Sequence, residues 1–274
     1  MIKIKGKKTL AIMLMICMVF AFTGCAKEKS SADNAPLTKI EEIKKAGKIV
    51  LGTSADYPPY EFHKEIDGKD TIVGFEIEMA KALAEELGVE LEIKDIKFDG
   101  LLAALAADKI DLIIAGMTPT EERKQSVDFS KEYFVDEHKV LIKSKDAEKI
   151  KTADDLKNLK IGAQKASIQE GIAQGIEGAD LKLISKITDL VLEISNDKID
   201  AVILGKATAQ AYADRNEELF VPEFSLGGGN GSAIAVKKGN EDFVKELNNI
   251  IDQLKKEGKI DQFIENATQL ANEE

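Results

Sequence analysis

Asp108-Lys109-Ile110-Asp111-Leu112-Ile113-Ile114-Ala115-Gly116 returns 89 residues later, without gaps, as Asp197-Lys198-Ile199-Asp200-Ala201-Val202-Ile203-Leu204-Gly205. Each stretch reads as a helix end, a tight turn and a buried parallel strand finishing in glycine. An apolar run without polar alternation belongs to a strand covered on both faces. Two such units predict two similarly built α/β lobes. Ligands of open parallel sheets gather beyond the carboxyl ends of the strands. Gly116 and Gly205 are therefore expected to line a space between the lobes.

The flanking chain keeps the same style, short apolar runs alternating with amphipathic stretches. Residues 48–51 read as a strand. Residues 75–87 carry apolar side chains at 75, 79, 83 and 87, one helical face stopped by Gly88. Residues 91–96 and 110–115 read as further strands, with a short helix at 101–107. The second half predicts strands at 160–163, 181–184 and 201–204 and helices at 167–174, 188–196 and 207–216.

Beyond the first repeat lies Ala115-Gly116-Met117-Thr118-Pro119-Thr120-Glu121-Glu122-Arg123. Thr118 is the expected N-cap, with Pro119 in the first helical position and Glu121 closing a capping box. A strand running through glycine into a helix start offers amides to a carboxylate or phosphate. Arg123 can reach back with a planar fork suited to a carboxylate. The 38 basic residues include only two arginines, Arg123 and Arg215. Arg123 stands where the geometric difference from lysine matters; Arg215, in Asp214-Arg215-Asn216-Glu217-Glu218, reads as a surface charge.

A second motif is Gly52-Thr53-Ser54-Ala55-Asp56-Tyr57-Pro58-Pro59-Tyr60-Glu61-Phe62. Proline fixes φ, so a stiff loop presents the ring of Tyr57. Aromatic faces suit a ligand sandwiched between rings, and Phe98 is the candidate for the opposing wall. Core packing is the competing role for both rings.

The N-terminus differs from the rest. Lys3, Lys5, Lys7 and Lys8 precede an apolar run from Leu10 to Phe22, and Thr23-Gly24-Cys25 follows. This is the pattern of a secretion signal. Its 13 apolar residues fall short of the roughly 20 that a membrane span needs. Residues 1–24 are expected to be a signal peptide and residues 25–39 a flexible tether. Removing the signal would leave 250 of the 274 residues, enough for two domains, with 34 basic residues (38 less four lysines) against 49 acidic ones. That balance argues against nucleic acid as a partner. Cys17 would leave with the signal, so no disulfide is expected.

Phe22-Thr23-Gly24-Cys25 resembles the lipobox of bacterial lipoproteins, with Phe22 where Leu, Val or Ile is usual. The resemblance implies a diacylglyceryl anchor on Cys25. The motifs at 52–62 and 115–123 look like the polar-amino-acid solute-binding proteins of ABC transporters (family 3, lipoprotein form). So do Val73-Gly74-Phe75-Glu76-Ile77, Phe98-Asp99-Gly100-Leu101-Leu102-Ala103-Ala104-Leu105, Val127-Asp128-Phe129-Ser130, Ile161-Gly162-Ala163-Gln164-Lys165-Ala166-Ser167-Ile168-Gln169-Glu170 and Ala235-Val236-Lys237-Lys238-Gly239-Asn240. The resemblance covers residues 40–265.

The resemblance implies two Rossmann-like α/β lobes joined by two crossing hinge strands, the type II periplasmic-binding-protein fold. Lobe 1 would hold residues 40–137 plus 232–274, and lobe 2 residues 138–231. Tyr57 and Phe98 match ring positions that stack on the ligand side chain, and Ser54 matches a polar pocket position. Ala115, Gly116 and Thr118 match backbone and hydroxyl contacts, and Arg123 matches the arginine that grips the α-carboxylate. Gln164, Ser167 and Ile168 match the closing loop of the second lobe. Ala166 stands where many members have glycine. Gly205 stands where the family commonly places the Asp or Glu that holds the α-ammonium. Either another group substitutes, with Asp56, Glu170 and backbone carbonyls as candidates, or the ligand has no ammonium. An acid restored at 205 is expected to tighten amino-acid binding in the first case and to lose binding in the second.

The implied function is capture of a small amino acid, or a related carboxylate, for an ABC transporter permease. The protein would be a monomer without cofactor or metal, anchored at the extracytoplasmic face of the cell membrane. Two other readings share the fold, a dehydratase-like enzyme and a receptor feeding a membrane sensor. The sequence shows no nucleophile elbow or phosphate loop, and its two histidines, His63 and His138, lie in unrelated contexts.

Overall fold

The computed structural model describes residues 36–273; the expected signal at 1–24, Cys25 and most of the tether lie outside the described residues. Thr38 caps helix α1 (Lys39–Ala46) through a capping box with Glu41. Strand β1 (Lys48–Thr53) then enters a three-stranded antiparallel flap, β2 (Asp56–Tyr57), β3 (Glu61–Ile66) and β4 (Lys69–Val73). Helix α2 (Phe75–Leu87), strand β5 (Glu90–Asp95), helix α3 (Leu101–Ala106), strand β6 (Leu112–Ile113) and the short helix α4 (Glu121–Ser126) follow.

Strand β7 (Val127–Lys143) is 17 residues long. After it come β8 (Lys160–Gln164), α5 (Ile168–Gln174), β9 (Asp180–Ile184), α6 (Ile187–Ser195), β10 (Ala201–Gly205), α7 (Lys206–Asp214) and β11 (Leu219–Phe220). Strand β12 (Gly228–Lys237) returns the chain, and helices α8 (Glu241–Lys256) and α9 (Lys259–Asn272) finish against α2.

The strand order is β5-β1-β6-β12-β7-β10-β8-β9, with β11 paired to β7. The outer pairs are parallel, and β12 and β7 run antiparallel to their neighbours. Strand β7 changes partner within its length: Glu137 faces Gly228 of β12, and His138 faces Gly205 of β10. Two α/β lobes thus share two crossing strands.

Each lobe buries both faces of its sheet. Leu112 and Ile114 enter one cluster with Phe75, Leu83 and Phe243, while Ile113 and Ala115 enter another with Leu101 and Leu105. In the second lobe Ala201 and Ile203 pack with Ile142 and Ile161, and Val202 and Leu204 with Leu141 and Leu190. Period-two alternation between two apolar layers is what an unbroken hydrophobic run encodes.

The repeat has the same geometry twice. Asp108 and Asp197 both take left-handed φ, 53° and 55°. In both copies the last helical turn closes through paired amides, Asp108 to Leu105 and Lys109 to Ala104, then Asp197 to Ile194 and Lys198 to Glu193. The carboxylate three residues on accepts a strand amide at 2.8 Å in each lobe, Val50 on Asp111 and Lys160 on Asp200.

Of the glycine-rich stretch 227–231, which reads as a loop by sequence, residues 228–231 instead open β12. A Cβ would lie 2.8 Å from Glu137 Cβ at Gly228 and 2.3 Å from Glu132 Oε2 at Gly231. At these two positions the hinge strands approach too closely for a side chain.

Candidate functional site

The space between the lobes holds about 560 Å³ free of protein atoms, partly open to solvent. Its walls include Ser54, Tyr57, Phe98, Ala115, Gly116, Thr118, Arg123, Gln164, Ser167, Ile168 and Gly205. These eleven nominated positions therefore reach one cleft, formed by loops at the carboxyl ends of β1, β6, β8 and β10, whereas Asp56 and Glu170, the candidate ammonium partners, do not line it.

Arg123 is the most informative. It is 8% exposed, whereas Arg215 is exposed at the end of α7. Its Nη1 donates 2.8 Å to the Thr118 carbonyl and its Nη2 2.8 Å to the Ala166 carbonyl across the cleft. The guanidinium carbon lies 5.4 Å from the centroid of the Phe98 ring, a cation–π distance. Burial lowers the Arg123 pKa to about 10, so it stays charged at neutral pH. Among the described residues no carboxylate pairs with it, and three of its five N–H donors remain for a ligand.

The local helix starts later than its sequence suggests. Thr120, not Thr118, is the N-cap of α4, its Oγ accepting from the Arg123 amide at 3.2 Å. Residues preceding proline favour extended backbone, so Thr118 and Pro119 form a lead-in. Helix α4 has six residues, so the charge that faces the cleft belongs to Arg123 itself.

Gly116 lines the cleft, but its amide is occupied. It donates to both Glu76 oxygens at 2.9 and 3.1 Å, and Tyr133 Oη also donates to Glu76. Burial, and then the charge of Glu76, drive the Glu61 carboxyl well above the usual range. The Glu76 carboxyl is raised by burial and held down by the Glu61 and Tyr133 hydrogen bonds. Glu61 and Glu76 form a buried acidic pair beneath Gly116, with the Glu61 carboxyl pushed up by burial and by its neighbour's charge.

Tyr57 does more than present a ring. Its Oη accepts from the Gly205 amide at 2.7 Å and from Gln169 Nε2 at 3.4 Å. Its ring sits 5.1 Å from that of Tyr60. Ser54 Oγ donates to Asp56 Oδ1 at 3.4 Å. In the facing loop Gln164 donates to the Ser185 carbonyl at 3.1 Å, and Ser167 caps α5. Ile168 supplies half-buried apolar area.

Neither side-chain substitute for an acid at 205 serves the cleft. Asp56 accepts the Ile187 amide at 2.8 Å, and Glu170 accepts those of Ala166 and Gln174 at 2.7 and 3.1 Å. A Cβ at position 205 would stand 2.8 Å from Tyr57 Oη and 2.9 Å from Asp136 Oδ2. A simple restoration of the acid there therefore collides with the cleft as built.

Sequence reasoning missed Tyr60, Glu61, Asp136, His138, Gln169 and Ser232 as wall residues. Asp136 and His138 are two apart on β7, so they share a face. His138 Nε2 is buried without a partner, and burial lowers its pKa. The period-two spacing is the available signal, obscured because β7 changes partner between Glu137 and His138.

A two-lobed clamp with a buried, unpaired arginine in its cleft defines a receptor for a small anionic or zwitterionic solute. The chain belongs to the bacterial extracellular solute-binding proteins, family 3, whose model matches residues 49–268. It is 36% identical over 260 residues to the arginine-binding extracellular protein ArtP of Bacillus subtilis, covering 93% of this chain and 95% of that one. It is 33% identical over 248 residues to the L-cystine-binding protein TcyJ of Escherichia coli, covering 90% and 91%. A crystal structure of the amino acid ABC transporter substrate-binding protein AbpA from Streptococcus pneumoniae, bound to L-arginine, superposes with a TM-score of 0.82. It is 35% identical, with 85% of this chain and all of that chain covered. Membership assigns the type II periplasmic-binding-protein fold, amino-acid transport by an ABC system and an extracytoplasmic location.

Proposed function

We propose that the chain captures an α-amino acid in the interlobe cleft, with the α-carboxylate on Arg123 and the side chain against Tyr57 and Phe98. Ser54, Ala115, Gly116 and Thr118 line the first-lobe wall, and Gln164, Ser167, Ile168 and Gly205 the second. The observation that carries this reading is Arg123: a desolvated cation with free N–H donors and no counter-ion among the described residues is stabilised by a bound carboxylate. L-arginine is the first candidate, because relatives and a superposed structure are named for it.

In this reading residues 40–137 with 232–274 form one jaw and 138–231 the other. The protein hands its cargo unchanged to a permease and is no enzyme. A lipid on Cys25 holds it at the outer face of the membrane; two acyl chains give stable attachment where one is marginal.

A thermal-shift screen of the twenty protein amino acids, L-cystine and amine-free carboxylates tests the assignment. A binder stabilises by RT ln(1 + [L]/Kd). A rise in melting temperature with one or a few amino acids is expected; stabilisation only by amine-free carboxylates, or by nothing, rejects it. Cys25→Ser is expected to release the protein from membranes, and persistent attachment would reject the anchor.

A further inference from the structure

The cleft carries a cation at one end, Arg123, and at the other an open corner where β10 ends in Gly205. Asp136 of β7 fills that corner from the hinge. Its Oδ2 lies 2.9 Å from where a Cβ of residue 205 would be, so glycine there is what leaves room for this carboxylate. Oδ2 accepts from Tyr60 Oη at 3.2 Å and from the Ala207 amide at 3.1 Å. Oδ1 accepts from the Glu137 amide at 2.9 Å.

All three donors are neutral. Among the described residues no lysine or arginine pairs with Asp136; Lys206 pairs with Glu137 instead, at 3.0 Å. A carboxylate offers about four acceptor sites, so capacity remains on a group that lines the cleft. An acid at 205 and Asp136 would compete for one volume, and here Asp136 has it.

We infer that Asp136, standing over Gly205, receives the α-ammonium group, so that Arg123 and Asp136 read the two charged ends of a zwitterionic amino acid. The inference rests on the amino-acid reading above. It places one charge contact on the hinge strand itself, where a ligand pulls on the element that joins the jaws. The alternative is that Asp136 only docks the start of α7 through Ala207.

Calorimetric titration separates the two. The strongest binder among the twenty protein amino acids and L-cystine, L-arginine first, is titrated beside its des-amino counterpart (5-guanidinopentanoate for L-arginine). Wild type, Asp136→Asn and Asp136→Ser are compared, and ligand-free melting checks that each folds; Ser keeps an acceptor for the Ala207 amide. Wild type should prefer the amino acid by at least about 30-fold, the loss expected when a buried charge pair is broken. Both variants should lose most of that preference while binding the des-amino compound about as well as wild type does. An unchanged preference in the variants, or an equal loss for both compounds, overturns the role of Asp136. A wild type that binds no amino acid overturns the amino-acid reading instead, which keeps the two failures distinct.

Discussion

The phenol oxygen of Tyr57 accepts a 2.7 Å hydrogen bond from the amide of Gly205, joining the tip of one lobe to the end of the central strand of the other. Tyr57 thereby acts as a latch as well as a wall. Tyr57→Phe keeps the ring and leaves the Gly205 amide buried without a partner when the jaws meet. An unsatisfied buried donor costs about 1–2 kcal/mol, so ligand affinity should fall roughly ten-fold. The ligand-free melting temperature should also fall, by roughly 2–8 °C, because the bond belongs to the structure itself. Unchanged affinity by calorimetry would mean the latch contributes nothing to closure.

Arg123→Ala removes the cation expected to meet the carboxylate. Affinity should fall by roughly 2–5 kcal/mol, as for truncation of a buried charged pair. Arg123→Lys should also bind more weakly, because a point charge cannot serve the Thr118 and Ala166 carbonyls and a ligand with one planar fork. Equal affinity in wild type and Arg123→Ala would remove the carboxylate from this end of the cleft.

Ala166 holds a φ of 60°, a left-handed conformation costing a residue with a Cβ about 1–2 kcal/mol. Glycine removes that cost while adding freedom to the unfolded chain. Ala166→Gly should therefore stabilise the protein by about 0.5–1 kcal/mol, a rise of roughly 1–4 °C in melting temperature. A lower melting temperature in the variant would contradict the strain.

Burial raises the carboxyl of Asp56 to about 6, against the opposing pull of the Ile187 amide. In the unfolded chain an aspartate titrates near 3.9. Between those values the folded protein binds a proton that the unfolded chain has lost, so this group favours folding in acid and the advantage disappears as pH rises through 6. Two units of difference correspond to roughly 3 kcal/mol. Melting curves of Asp56→Asn should show a smaller loss of stability between about pH 4 and 6.5 than wild type. Parallel profiles would assign that dependence elsewhere.

What could be read in advance followed from local rules. The face at 75, 79, 83 and 87 and the stop at Gly88 fixed α2 to the residue, and the repeated Asp-Lys-Ile-Asp turn announced both lobes. Thr118 misled because two threonines flank Pro119, and only the backbone decides which one caps. Strand β7 escaped because its pattern resets at His138, where it exchanges β12 for β10. The corner at Gly205 was legible as a missing acid. Its occupant was not, because Asp136 arrives from 69 positions earlier by a contact that only the fold creates.

Strand β7 is an interior member of both halves, with Val127 in one core and Val140 and Ile142 in the other. A single peptide cut within it would sever the spine of both jaws at once. For the same reason heat should not melt one jaw and spare its partner. The jaws should stand or collapse together, so a solute gripped at the cleft protects the whole body from unfolding and from proteases.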